Sequence, residues 1–343
     1  MSAAAMTPQQ QRSDRPAAGE LVTVVIPCLN EERSISACLE SVLGQSHQSL
    51  EVLVVDGGSA DRTTDLVEAF ARVDGRVRLL HNADRVQPAA MNLAVAEATG
   101  RYLVRIDAHA TVAPGFVAGV VAHLLTGEWG GVGGRKDAVG FSATGRAIAA
   151  VLGSRFGVGN SAYHHATEAQ EVDHVPFGAY PIEVIHDVGG WDASIAVNED
   201  YEFDYRVRSS GRRLLLDPSL VIAWEGRQTL PLLARQYRRY GRGKAKVVRK
   251  HPTSTAARHL VPPAVVAALG LAVLLAPVRP RWSAAIALPY VGLLGLGTVV
   301  VGARLAERDE VIAVPGAMAT MHLAWGWGFW EGLLGAEVVQ KDR

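Results

Sequence analysis

The chain has 343 residues, with 34 lysines and arginines balanced by 34 aspartates and glutamates. Hydrophobic residues make up 49% and charged residues 20%, which excludes a disordered or fibrous chain and leaves ample material for a buried core. The formal balance of zero also argues against a general nucleic-acid binder, which is normally basic overall.

Residues 1–20 are polar and rich in Ala and Gln, and they contain no apolar stretch of the kind a cleavable secretory signal needs. They read as a disordered lead-in. Leu21–Pro27 is a β-branched run typical of a buried strand. Asn30-Glu31-Glu32 then opens a helical stretch through Leu43, with the Asn as N-cap. Leu50–Val55 is a second strand, ending at Asp56-Gly57-Gly58-Ser59. Helix over Asp61–Val73, strand over Val77–Leu80, helix over Pro88–Thr99 and strand over Tyr102–Ile106 follow, the last ending at Asp107. Cys28 and Cys38 have no metal-motif spacing and read as reduced cytosolic thiols.

This βαβα order predicts an α/β fold with a largely parallel sheet covered on both faces, whose ligands sit beyond the carboxyl ends of the strands. Asn30, Glu31, Asp56 and Asp107 follow three of those ends directly. Neither GxGxxG nor GxxxxGK[ST] follows the first strand, so the usual phosphate-cradling glycine loops are missing. A nucleotide bound here has to be held by carboxylates together with a divalent cation that neutralises its phosphates, Mn²⁺ or Mg²⁺.

The C-terminal third changes character. Arg235, Arg238, Arg239, Arg242, Lys244, Lys246, Arg249, Lys250 and Arg258 occur without an acidic residue among them. Residues 231–259 therefore read as a basic interfacial segment on the cytoplasmic side, attracted to anionic headgroups. Beyond it, Leu260–Val278, Ser283–Ala303 and Val311–Trp330 are each free of charge and about as long as a membrane span requires. Three transmembrane helices within residues 260–335 are expected, placing the protein in the cell (inner) membrane with the preceding domain in the cytoplasm. Trp325, Trp327 and Trp330 fit an interfacial aromatic belt.

The segments VVIPCLNEE (24–32), VLVVDGGSADRT (52–63), VQPAAMNLAVAEATGRYLVRIDAHA (86–110), NEDYEFDYRVRSSG (198–211) and QYRRYG (236–241) stand in one order. Together they resemble the family 2 inverting glycosyltransferases of GT-A fold. The Asp-Ala-His-Ala variant and the apolar tail are most similar to the membrane-bound transferases of bacterial exopolysaccharide assembly, of the succinoglycan glucosyltransferase type. The resemblance implies a GT-A domain over residues 21–230. It also implies that Pro27, Glu31 and Asp56 line the nucleotide pocket, although Pro27 also suits a strand end and Asp56 a turn.

By the same resemblance, Asp107-Ala108-His109 stands at the family's metal motif, with His in place of the second carboxylate. Alternate residues of an extended segment face one side, so Asp107 and His109 can both reach one cation. Asp200 corresponds to the family's catalytic base, with Glu199 in support; acidic residues at a helix start also suit the helix dipole. Gln236, Arg239 and Tyr240 resemble the family's Gln-x-x-Arg-Trp motif and share one helical face, near the acceptor and the leaving diphosphate. His164, His165 and His174 lack metal-motif spacing and read as satisfied loop histidines. Trp191 suits either an acceptor-side platform or the core.

The expected function is transfer of one sugar from a nucleotide-diphosphate donor, UDP-linked by family habit, to a polyprenyl-diphosphate-linked saccharide. Two alternatives stand beside it: transfer to a polyprenyl phosphate itself, and a non-catalytic membrane subunit that binds nucleotide sugars.

Overall fold

The computed structural model describes residues 19–336, so the expected lead-in lies almost entirely outside the described residues. Strands and helices alternate from the start: β1 (Val22–Cys28), α1 (Ile35–Leu43), β2 (Leu50–Asp56), α2 (Thr63–Val73), β3 (Val77–His81), α3 (Gln87–Glu97) and β4 (Tyr102–Arg105). Each predicted element is present, most with bounds within two residues of the expected ones and one with a larger shift. The first helix begins at Ile35 rather than at Asn30, which adopts a left-handed φ of 56°. The Asn30 Oδ1 accepts from the Ala60 backbone N–H at 2.8 Å, so this residue ties its loop to the end of β2 instead of capping a helix.

There follow β5 (Ala110–Val112), α4 (Phe116–Leu125), β6 (Gly131–Val139), α5 (Ala143–Leu152), α6 (Arg155–Val158), β7 (Gln170–Val172), β8 (Ala179–Pro181), α7 (Ile182–Asp187), α8 (Glu199–Ser209) and β9 (Leu214–Glu225). The sheet runs β3-β2-β1-β4-β8-β6-β9-β5, with β7 on β9. Strands β1 to β4 are mutually parallel, as the sequence pattern predicts, whereas β8 pairs antiparallel with β4 and the sheet beyond it is mixed. Strand β1 lies between β2 and β4, which creates a switch point at their carboxyl ends.

Side-chain alternation divides the core between the two faces. Val22, Val24 and Ile26 of β1 enter one cluster and Val25 the other. Between β6 and β9 the register jumps: Gly134 pairs with Asp217 and the next residue, Arg135, with Val221. A Cβ on Gly134 would lie 1.8 Å from the Leu220 carbonyl oxygen, so the strands close here only because glycine has none.

The remaining helices are α9 (Leu230–Lys250), α10 (Ala257–Leu275), α11 (Pro280–Gly302) and α12 (Arg308–Leu333). Helices α10 and α11 are long and apolar enough to cross a membrane, and most of their surface is left uncovered by the rest of the chain. The third expected span differs: α12 does not meet the same measure of length and hydropathy among the described residues. It packs along α9 and α5, and Val314, Ala317, Met318 and Met321 extend the core of the sheet domain. Glycines make this approach possible. A Cβ on Gly241 would stand 2.1 Å from the Trp325 carbonyl oxygen, and one on Gly328 would stand 2.0 Å from that of Arg238.

The same packing corrects the picture of an uncompensated basic segment. Arg238 and Arg242 bond to Glu331 at 2.7 and 2.9 Å, Lys250 pairs with Asp192, and Arg258 with Asp173. Their counter-charges come from distant parts of the chain, which a local count of charges does not see. The tryptophans of α12 are likewise more than a belt. Trp330 donates to the Pro263 carbonyl of α10 at 2.9 Å, and Trp327 donates to Glu331 at 2.8 Å.

Candidate active site

The carboxyl ends of β1 and β4 and the first turn of α8 converge on a cavity of about 1210 Å³. Pro27, Glu31, Asp107, His109, Glu199, Asp200, Gln236, Arg239 and Tyr240 all line it, so residues spread over most of the sequence meet at one place. Asp56 does not, although its neighbours Val55 and Gly57 do. Its buried carboxylate accepts from the backbone N–H groups of Gly58 at 3.0 Å and Ser59 at 3.1 Å, which is the work of a turn former.

Asp107 sits in a charge network that sequence reasoning did not anticipate. Arg105, itself buried, donates to both Asp107 oxygens, at 2.8 and 3.3 Å, and to Glu199 at 3.2 Å. Burial alone would raise the Asp107 carboxyl, but the Arg105 guanidinium outweighs it and holds the group below the usual carboxylate range. Glu199 moves the other way, pushed up by its burial and by the adjacent Asp200 carboxylate. A cation within the apolar run of a buried strand (Leu103-Val104-Arg105-Ile106) was the available signal, since such a residue requires a carboxylate partner.

Asp200 is the more accessible of the two adjacent acids. One of its oxygens accepts from the Tyr201 N–H at 2.7 Å, and the other lies 3.8 Å from the Nε2 of His174. His174, read from sequence as an ordinary loop histidine, is buried among carboxylates. Its Nδ1 is 2.7 Å from Asp204, which also accepts from the Tyr180 hydroxyl at 2.6 Å and the Val175 N–H at 2.8 Å. Burial disfavours the charged imidazole, yet Asp200 and Asp204 together raise it above its ordinary value. Asp200 is lowered in turn: burial would raise it, and the charges of His174 and Arg105 prevail. Asp204 follows Asp200 by one helical turn, so the two share a face of α8.

This pairing has a signed consequence. In His174→Gln the cation beside Asp200 is lost, the Asp200 pKa rises, and the acid limb of the pH–rate profile moves toward neutrality. An acid limb identical to that of the wild type would rule out the coupling.

Lys136 lies 4.2 Å above the Trp224 ring and 4.5 Å from that of Phe177, and burial lowers its ammonium to about 8. Trp224 Nε1 is buried in the cavity wall without a hydrogen-bond partner, with its ring centroid 6.4 Å from that of His109. His109 Nδ1 lies 3.2 Å from Glu31, which leaves Nε2 for a ligand. Among the described residues no group of three His, Cys, Asp or Glu side chains is gathered as a metal cage. Asp107 and His109 instead offer two donors beside an orphaned indole N–H. Such a set fits a cation whose remaining ligands are oxygens carried in by a diphosphate.

On α9, Gln236 Nε2 donates to the Tyr240 hydroxyl at 2.9 Å, fixing two residues of the predicted motif to each other. Asn198, at a left-handed φ of 61°, donates to the Tyr240 carbonyl at 3.3 Å and so joins the start of α8 to this helix. Trp191 belongs to the core: its ring stacks on Phe203 with centroids 4.2 Å apart, and Asn92 clamps its backbone. His164 lines the cavity but burial lowers it to about 3, so it is neutral there, and His165 bonds the Gly159 carbonyl.

A parallel half-sheet with carboxylates at its switch point, extended by mixed strands and followed by long apolar helices, is the architecture of a GT-A glycosyltransferase. Residues 23–157 match the model of glycosyl transferase family 2. The succinoglycan biosynthesis protein ExoA of Rhizobium meliloti is 36% identical over 91% of this chain and 94% of its own length. The chain belongs to glycosyl transferase family 2 and is a glycosyltransferase. It is also similar to the dolichyl N-acetyl-α-D-glucosaminyl phosphate 3-β-D-2,3-diacetamido-2,3-dideoxy-β-D-glucuronosyltransferase of Methanococcus voltae, 25% identical over 67% of this chain and 74% of that protein. Among solved structures, the mannosyltransferase PcManGT of Pyrobaculum calidifontis, in complex with GDP-Man and Mn²⁺, has a TM-score of 0.57 at 20% identity, covering 96% of this chain and 93% of that one. GalNAc-T7 with UDP, GalNAc and Mn²⁺ has a TM-score of 0.51 at 17% identity, covering 69% of this chain and 51% of that one.

Proposed function

We propose that the protein is a membrane-anchored inverting transferase that moves one sugar from a nucleotide-diphosphate donor, UDP-linked, to a polyprenyl-diphosphate-linked saccharide in exopolysaccharide assembly. The observation that carries this reading is a single cavity lined both by Asp107 and Asp200 and by Val261, Val265 and Leu293 of the apolar helices α10 and α11. Two relatives support it by their names, one in succinoglycan biosynthesis and one that acts on a dolichyl-linked sugar.

In this reading the nucleotide lies over Pro27 and Glu31, and its diphosphate points to Asp107 and His109. Asp107 and His109 would hold a divalent cation there, which would supply charge neutralisation for the departing diphosphate. Asp200 accepts the proton of the acceptor hydroxyl while that oxygen bonds to the anomeric carbon from the face opposite the leaving group. The bond to the diphosphate breaks, and the configuration inverts. Gln236 and Tyr240, bonded to each other, present one face to the acceptor sugar, and Arg239 on the same helix steadies the diphosphate. Helices α10 and α11 anchor the domain in the membrane.

His109→Ala is expected to raise the Mn²⁺ concentration needed for half-maximal activity about tenfold, while the order of preference among donor sugars stays the same. A Mn²⁺ titration indistinguishable from that of the wild type would make His109 a bystander. The reading as a whole is tested with protein purified in detergent, by measuring nucleoside-diphosphate release from a panel of nucleotide sugars with Mn²⁺ and polyprenyl-diphosphate saccharides. Acceptor-dependent release from one donor is expected. Donor binding without release, across all acceptors, would leave a non-catalytic binding subunit.

A further inference from the structure

Lys244 has no part in the mechanism above, yet it is one of the most unusual residues of the chain. It sits on α9 at 2% exposure, and its Nζ has no hydrogen-bond partner among the described residues. It lies over the face of the Tyr201 ring, with Nζ 3.0 Å from the centroid. A cation–π contact returns only part of what a buried ammonium loses by leaving water. Burial accordingly lowers the group to about 6, so an anion arriving beside it would draw it back to the charged form.

The surroundings indicate which anion. Lys244 lines the cavity next to Arg258 and His259, the residues that open α10. Arg258 is already paired with Asp173, whereas Lys244 makes no ion pair or hydrogen bond among the described residues and feels Asp173 and Asp200 only through space. Immediately beyond, the wall turns apolar, with Val261 and Val265 of α10 and Leu293 of α11. Val261 and Leu293 are also 58% and 40% exposed, so the cavity opens sideways onto the uncovered faces of the two membrane-length helices. A cationic pocket leading directly into an apolar slot matches an amphiphile with a phosphoryl group at one end of a hydrocarbon chain.

We propose that Lys244 binds the phosphoryl group joining a polyprenyl chain to its sugar, and that the chain leaves the cavity sideways along Val261, Val265 and Leu293, between α10 and α11. This rests on the lipid-linked acceptor proposed above, and adds to it the phosphate subsite and the route of entry. The distance from Lys244 to Asp200 is bridged within α8: Tyr201, whose ring carries the ammonium, is the residue after Asp200. Asp200 also acts on the Lys244 ammonium through space, so a sugar attached to a phosphoryl group held at Lys244 lies near Asp200.

The test compares binding of a polyprenyl monophosphate with that of the uncharged polyprenol of equal length, in detergent, to the wild type and three variants. The wild type is expected to favour the phosphate at least about tenfold. Lys244→Met reduces that preference to about twofold or less with its thermal midpoint maintained, Lys244→Arg retains it, and Val265→Trp weakens both lipids alike. An unchanged preference in Lys244→Met overturns the inference. So does a Lys244→Met variant that loses affinity for UDP instead, which would assign the cation to the donor's leaving group. Inorganic diphosphate competing as well as the lipid would mean a site for free phosphate. The acceptor reading fails separately: the phosphate preference then depends on Lys244, but no polyprenyl-linked saccharide supports turnover with any donor.

Discussion

Asp200→Asn is expected to lower the rate of sugar transfer about a thousandfold while leaving donor affinity within about twofold of the wild type. The substitution keeps the shape of the side chain and its bond from the Tyr201 N–H, and removes only the capacity to take a proton. Its neighbours make Asp200 the better base of the two adjacent acids. His174 and Arg105 keep it ionised, whereas Glu199 is raised by burial and committed to Arg105. Nucleoside-diphosphate release, measured beside equilibrium titration of the nucleotide sugar, separates the two effects. The same variant decides between acceptors. A sugar hydroxyl needs a base, but a lipid phosphate is already anionic, so a largely intact rate would point to transfer onto polyprenyl phosphate and remove Asp200 from the chemistry.

Arg105→Met is expected to have the largest effect on stability. The guanidinium is buried and holds Asp107 and Glu199 at once, and removing it strands two carboxylates in the floor of the cavity. Breaking a buried ion pair by deleting one partner costs about 3–5 kcal/mol, which lowers the thermal midpoint by about 10 °C in a domain of this size. The sign of its pH dependence follows from the charges left behind. In the wild type, Asp107 has a lowered pKa, so its contribution to stability is present above its unfolded pKa and is lost as pH falls through the lower folded value. In the variant Asp107 rises as well, and Glu199, already raised to about 7 in the wild type, rises further, so the folded state gains protons on acidification. The deficit relative to wild type therefore shrinks between about pH 7 and pH 5. A deficit that is constant across that range would mean that Arg105 contributes packing and not charge. Arg105→Lys recovers only part of the loss, because an ammonium cannot reproduce the forked contact with Asp107.

Arg105 and His174 also mark where sequence reasoning stopped. Asp107, Glu199 and Asp200 were legible because the acids follow strand ends or head a helix, and because those motifs recur in family order. Their partners carry no such signal. Arg105 reaches Glu199 across 94 positions of sequence, and His174 reaches Asp204 across 30. Asp56 carries both features at once: it follows a strand end between two residues of the cavity wall, and its carboxylate accepts from the N–H groups of its own turn.

The sequence by itself determined the alternation of strands and helices, the acids at the carboxyl ends, the family and the apolar character of the tail. Each of these depends on residues within a few positions of one another, where periodicity and local chemistry act. Only the tertiary structure decided which charges meet and which stand alone. It brought Glu331 to Arg238 and Arg242, so that a segment read as uncompensated is partly paired. It docked α12 on α9 through Gly241 and Gly328, because residues without a Cβ let two backbones approach, and this separates the third apolar helix from the two that stand uncovered. It also left Lys244 buried without an ion pair among the described residues. Partnership between charges is set by proximity in space, and proximity across the chain is what a one-dimensional pattern does not contain.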